Sequence, residues 1–184
     1  MNLANWLTVS RMLLILPFSY FLLTPAISNN FWWAGLICLI SCITDMLDGW
    51  VARHYHCETI FGTFLDPMVD KMFIICSLTC FVQIGIIGAF PLIFVIIREF
   101  AVITLRLASS IRSVVIAADK LGKLKTITQM FCVCFLLLLK ALAVDAQPIF
   151  AAIKPLVIWV MVLITLVSGA HYLWKSRELL KMEL

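Results

Sequence analysis

Residues 72–97 read MFIICSLTCFVQIGIIGAFPLIFVII, 26 residues without a charge. A helix needs about 20 apolar residues to cross the hydrocarbon core of a bilayer. Gly85, Gly88 and Pro91 fall towards the middle of this run and favour a turn there. The run therefore reads as the end of one span and the start of the next. Working outward with the same criterion, apolar stretches cover 8–27, 31–53, 63–86, 89–110, 121–143 and 149–173. The expected fold is all-α: a polytopic membrane protein built as a bundle of six transmembrane helices. No internal repeat, low-complexity tract or composition break divides the chain, so residues 1–184 are read as one domain.

Composition supports lipid as the surrounding solvent. Of 184 residues, 64% are hydrophobic and 13% charged, a balance that would leave a water-soluble domain with a large exposed apolar surface. The net charge of +4 is scattered among the apolar stretches and forms no solvated basic tract, which argues against nucleic acid as a partner. Seven cysteines, Cys38, Cys42, Cys57, Cys76, Cys80, Cys132 and Cys134, lie mostly in apolar stretches without paired metal-ligand spacing, and read as small core residues. Residues 1–11 lack the basic region of a secretory signal and no small-residue cleavage site follows, so the first stretch is expected to stay as a membrane element.

Basic residues set an orientation. Arg11, Arg53, Arg112, Lys120, Lys123, Lys125, Lys175, Arg177 and Lys181 all fall on one side of a six-span arrangement, whereas the connections near 28–30 and 86–89 carry no charge. The positive-inside rule places that side, and both termini, in the cytoplasm, with Lys140 and Lys154 running against the trend. Trp6, Trp32, Trp33 and Trp174, with His171 and Tyr172, fit interfacial anchors.

Four of the ten acidic residues, Asp45, Asp48, Asp66 and Asp70, share one 26-residue window flanked by apolar sequence. An ionised aspartate near the bilayer centre costs about 2.5 to 3.5 kcal/mol even on the lenient insertion scale. Several together call for a compensating cation. Helical spacing of three and four residues directs each pair from one face of its own helix, and two facing helices would gather four carboxylates. All-oxygen ligation suits hard divalent ions such as Mg²⁺ or Mn²⁺, and four carboxylates are enough for two ions around a phosphate. For a single aspartate a plainer role is open: Asp45 and Asp48 can end a helix at the aqueous boundary beside Arg53, and Asp66 can begin the next before Pro67. Gly49 and Ala52 share the side of Asp45 and Asp48, and Gly62 stands one turn before Asp66, leaving room for a ligand or for close helix packing.

In order, Asp45, Asp48, Gly49, Ala52, Arg53, Gly62, Asp66 and Asp70 spell D-x-x-D-G-x-x-A-R, eight residues, G-x-x-x-D-x-x-x-D. This spacing resembles the signature of the CDP-alcohol phosphatidyltransferase family. The resemblance extends through Asn5, Thr8 and Arg11, Leu65-Asp66-Pro67 with Asp70-Lys71, Arg98-Glu99 with Arg106, and Gly122-Lys123-Leu124-Lys125-Thr126 with Gln129, to the bacterial branch whose acceptor is glycerol 3-phosphate. Ala4, the pair Met68-Val69 and Asp119 depart from the usual pattern without removing a signature residue.

The resemblance implies a six-helix bundle, often dimeric, in the bacterial inner membrane, with its active site facing the cytoplasm. It implies that Asp45, Asp48, Asp66 and Asp70 bind two divalent cations, that Asp70 is the catalytic base, and that Asn5, Thr8, Asp48, Gly49, Ala52, Arg53 and Gly62 border the nucleotide. The implied reaction moves the phosphatidyl group of CDP-diacylglycerol onto an alcohol and releases CMP. Arg98 and Arg106, two turns apart in an apolar helix, are expected to face the interior. With Lys123 and Lys125 they favour a phosphorylated acceptor, glycerol 3-phosphate, over a neutral one such as serine or inositol. Each has a plainer alternative. Arg98 can pair structurally with Glu99 or another carboxylate. Lys123 and Lys125, about 200° apart on a helix, can be topology signals. His54 and His56 are read as loop residues outside the site. Competing readings are a family member with another acceptor, as in cardiolipin or phosphatidylserine synthesis, and a divalent-cation transporter using the four aspartates as its path.

Overall fold

A computed structural model describes the backbone of residues 3–55, 60–111, 120–143 and 147–175, and the side chains of 10–44, 68–69, 71–105, 121–143 and 147–175. Six α-helices account for nearly all of it: α1 (Leu3–Leu23), α2 (Asn30–Tyr55), α3 (Ile60–Gln83), α4 (Ala89–Ile111), α5 (Lys120–Ala141) and α6 (Pro148–Lys175). No strand occurs among the described residues. Each helix matches one of the six apolar stretches, shifted by a few residues. The first is shifted most: α1 stops at Leu23 because Thr24 precedes Pro25, whose ring disfavours helical backbone in the residue before it.

The turn expected near Gly85 is present. Gly85 has φ +73°, its N–H donates to the Val82 carbonyl at 3.1 Å, and the Ile86 N–H donates to the Phe81 carbonyl at 2.9 Å. This pair of bonds with a left-handed glycine closes α3 as a Schellman motif and turns the chain into α4. At the start of α2, the Asn29 carbonyl accepts from Trp32 at 2.9 Å, and the Asn30 side chain caps the Phe31 N–H at 2.9 Å.

Contacts between helices fix their directions. Phe21 stacks on Trp33 across the α1–α2 hairpin, Phe18 packs on Phe73 of α3, and the Cys38 and Cys134 sulfurs of α2 and α5 lie 3.9 Å apart. Gln129 of α5 meets Thr165 of α6, and Arg98 of α4 meets Ser168 of α6. These pairings run α1, α3 and α5 one way and α2, α4 and α6 the other. α1 and α5 both lie against α2 and α3, and α6 packs on α4 and α5.

The core is apolar in one half of the bundle, with Phe18, Leu22, Phe81, Val95, Leu136 and Met161 essentially inaccessible. Outward faces are apolar too: Leu16, Phe90, Ile97, Phe100, Ile127 and Leu163 are all exposed. Among the described residues, two helical segments are long and apolar enough to cross a membrane, Leu121–Ala141 and Pro148–Lys175, and shorter apolar segments run through Ser10–Leu23, Asn30–Thr44 and Lys71–Gln83. Trp32, Trp33 and Trp174 are exposed. Two expectations need correction. Cys134 is exposed because it sits on the rim of the α2–α5 contact, although Cys38, Cys80 and Cys132 are buried. Tyr172 is buried because it continues the inward stripe of α6, Thr165, Ser168 and Gly169. Cys57 lies outside the described residues.

No atom other than the neighbours of Gly85 approaches within 4 Å of a Cβ built there, so a side chain at this position meets only backbone strain. Gly85→Ala is therefore expected to lower unfolding stability by about 1 to 2 kcal/mol, read by thermal unfolding in detergent.

Candidate active site

The alternating helix directions collect the starts of α1, α3 and α5 and the ends of α2, α4 and α6 at one end of the bundle. Asn5 and Thr8 lie in the first two turns of α1; Asp45, Asp48, Gly49, Ala52 and Arg53 in the last three turns of α2; Gly62, Asp66 and Asp70 in the first three turns of α3. Arg106 is near the end of α4, and Lys123 and Lys125 are in the first two turns of α5. The backbone thus brings every expected site residue except Arg98, which is deeper, to the same end. The side chains of Asn5, Thr8, Asp45, Asp48, Gly49, Ala52, Arg53, Gly62, Asp66, Asp70 and Arg106, and the whole of His56, lie outside the described residues, whereas His54, expected in a loop, is in the last turn of α2. Among the described side chains, no group of three or more His, Cys, Asp or Glu could hold a metal ion.

Below that end, α4, α5 and α6 enclose a polar cluster. Arg98 and Glu99 are adjacent in sequence and both buried, so α4 presents one towards α6 and the other towards α5. Arg98 Nη2 donates to Ser168 Oγ at 2.8 Å, and Nη1 lies 3.3 Å from Glu99 Oε2. The Lys125 ammonium forms an ion pair with Glu99 Oε1. Gln129, one turn further along α5, donates through Nε2 to Glu99 Oε1 at 3.4 Å and to Thr165 Oγ1 at 3.3 Å. Lys71, which follows Asp70 on α3, is near enough for its charge to act on Lys125.

Gly169 explains how the arginine fits. A Cβ at this position would stand 2.7 Å from Arg98 Cγ, so the arginine stem crosses α6 where only a glycine leaves room. The Tyr172 hydroxyl, one turn beyond Ser168, is buried and makes no hydrogen bond. A cavity of about 710 Å³ lies at the opposite end of the bundle, among Leu22, Asn30, Phe31, Thr79 and Gln83, away from all of these groups.

The structure therefore brings Arg98 and Lys125 together on one carboxylate and leaves Lys123 exposed on another side of α5, as their angular separation requires. Lys125 is a buried ion-pair partner. The pairing of Arg98 with Glu99, one of its two expected roles, is present. Thr165, Ser168, Gly169 and Tyr172 were not read as site residues from sequence. Their signal was available: in an otherwise apolar helix they recur at intervals of three, one and three, marking one face.

The sequence model of the CDP-alcohol phosphatidyltransferase family matches residues 1–168, and the chain belongs to that family. A CDP-diacylglycerol–glycerol-3-phosphate 3-phosphatidyltransferase from Bacillus subtilis is 35% identical, covering 98% of this chain and 97% of its own. A protein of the same name from Rickettsia typhi is 29% identical over 93% of this chain and 94% of its own. A probable phosphatidylglycerophosphate synthase from Mycobacterium tuberculosis is 35% identical over 95% of this chain and 81% of its own.

Two substitutions test the cluster. Gly169→Ala must displace the Arg98 stem, and is expected to destabilise the protein by about 1 to 3 kcal/mol as an overpacking change, read by thermal unfolding. Tyr172→Phe removes a buried hydroxyl without a partner and is expected to leave stability unchanged or raise it by about 1 kcal/mol in the same measurement.

Proposed function

We propose that this chain transfers the phosphatidyl group of CDP-diacylglycerol to glycerol 3-phosphate, yielding phosphatidylglycerophosphate and CMP in phospholipid biosynthesis. The observation that carries the reading is near-full-length similarity to family members named for this acceptor, together with the buried pairing of Arg98 and Lys125 beside the acidic helix. In this reading all six helices span the bacterial inner membrane, both termini and the active site face the cytoplasm, and the enzyme works as a homodimer.

Asp45, Asp48, Asp66 and Asp70 are the residues to hold two divalent cations, Mg²⁺ or Mn²⁺. Contributed by the last turns of α2 and the first turns of α3, they are in this reading an all-carboxylate donor set, which suits hard ions. Bound there, the ions supply neutralisation of the pyrophosphate and stabilisation of the CMP leaving group. Asn5, Thr8, Asp48, Gly49, Ala52, Arg53 and Gly62 border the cytidine nucleotide. Arg98 and Lys125, with Arg106, bind the acceptor phosphate through charge-assisted hydrogen bonds, and Lys123, exposed on another side of α5, takes no part in that contact. The acceptor hydroxyl gives its proton to Asp70 as its oxygen attacks the lipid-bearing phosphorus in line, and the bond to CMP breaks. The apolar bundle around Arg98 and Glu99 limits water, the competing nucleophile.

Purified protein with CDP-diacylglycerol and Mg²⁺ or Mn²⁺ is expected to release CMP on addition of glycerol 3-phosphate. Release only with serine, inositol or phosphatidylglycerol would reject this acceptor. Asp66→Asn and Asp70→Asn are each expected to reduce turnover by at least about 100-fold, with Asp70→Asn retaining nucleotide binding. Full CMP release by either variant would remove these carboxylates from the site.

A further inference from the structure

Lys125 carries its ammonium on a flexible four-carbon stem, and nothing in the stem itself fixes where the charge sits. In the bundle Lys125 is 5% exposed and its ammonium pairs with the carboxylate of Glu99, a residue 2% exposed. The same carboxylate lies 3.3 Å from Arg98 Nη1, while the other terminal nitrogen of the guanidinium is held by Ser168 Oγ on α6. Gln129 approaches Glu99 from α5 and is tied back to Thr165. One carboxylate on α4 thus sets the separation and direction of two cations contributed by two helices.

We propose that Glu99 is a positioning residue for the acceptor: it holds Lys125 and Arg98 at the spacing that receives the phosphate of the incoming alcohol, and it touches no reacting atom. This inference rests on the acceptor reading above. Its mark is selective. A pocket whose cations are no longer held loses ground-state affinity for the phosphorylated acceptor, whereas the nucleotide end and the proton transfer at Asp70 are untouched. Glu99 therefore acts on the KM for glycerol 3-phosphate and not on kcat or on the KM for CDP-diacylglycerol.

The test measures CMP release by the purified full-length enzyme, with both substrates varied, for the wild type and for Glu99→Asp, Glu99→Gln, Arg98→Met, Lys125→Met and the double variant Glu99→Gln/Lys125→Met. Glu99→Gln is expected to raise the acceptor KM by about tenfold or more with kcat within about threefold, and Glu99→Asp, which keeps the charge on a shorter arm, by less. Because Glu99 acts in part through Lys125, the double variant is expected to raise the acceptor KM by less than the product of the two single effects. It also removes the buried charges as a pair, so it remains informative if Glu99→Gln does not fold. An unchanged acceptor KM in Glu99→Gln, beside a raised one in Lys125→Met, overturns the role of Glu99 and leaves the acceptor site standing. A fall in kcat with both KM values unchanged overturns it as well. If neither Arg98→Met nor Lys125→Met moves the acceptor KM, the acceptor site itself is wrong and the inference falls with it.

Discussion

Each oxygen of a carboxylate this deep in an apolar bundle needs a donor, and the donors must come from other helices. Glu99 meets that demand with Lys125 and Gln129 from α5 and with its own neighbour Arg98, which in turn reaches α6. Removing one member of a buried ion pair typically costs about 3 to 5 kcal/mol because a charge is left without compensation. The helices α4, α5 and α6 are therefore held in mutual register by a charge constraint as well as by packing. Apolar contacts such as Met161 with the rest of the core can slide at small cost, whereas a lysine that must meet one oxygen cannot.

That constraint works with the alternation of helix direction. Every second helix end returns to the same side, so the end of α2 and the start of α3 lie at one end of the bundle. Two of the three helices of the polar cluster, α4 and α5, contribute its cations, Arg98 and Lys125. The division is between halves of the bundle: Phe18, Leu22, Phe81 and Leu136 fill one with hydrocarbon, and the polar side chains are gathered in the other.

Much of this was legible in the sequence because so apolar a chain simplifies the code. Six apolar stretches became six helices, and Gly85 marked the one turn that hydropathy alone would have missed. The acidic window announced itself because charge is rare in such a chain. Lys123 and Lys125 were separable by helical angle, and one is exposed and the other buried. What composition did not disclose is the partnership around Glu99. Spacing along a helix relates residues on that helix, but which lysine meets which glutamate depends on how α5 and α4 are rotated and staggered. Thr165, Ser168 and Gly169 were overlooked for a related reason: small, weakly polar residues are common in membrane helices as packing residues, and only a neighbour's arginine gives them a further meaning. Tyr172 was read by residue type, whereas the inward stripe of α6 decides its place.

The crossing of Arg98 over Gly169 gives the arginine a second duty. Its methylene stem fills the groove that the missing Cβ leaves in α6, so this side chain is mortar between two helices as well as a source of charge. A shorter neutral residue at position 98 would lose the guanidinium and also open a slot between α4 and α6, in the half of the bundle where water is least wanted. A shorter residue at 98 would therefore keep the packing only with a paired substitution, one that enlarges 169 to close the slot.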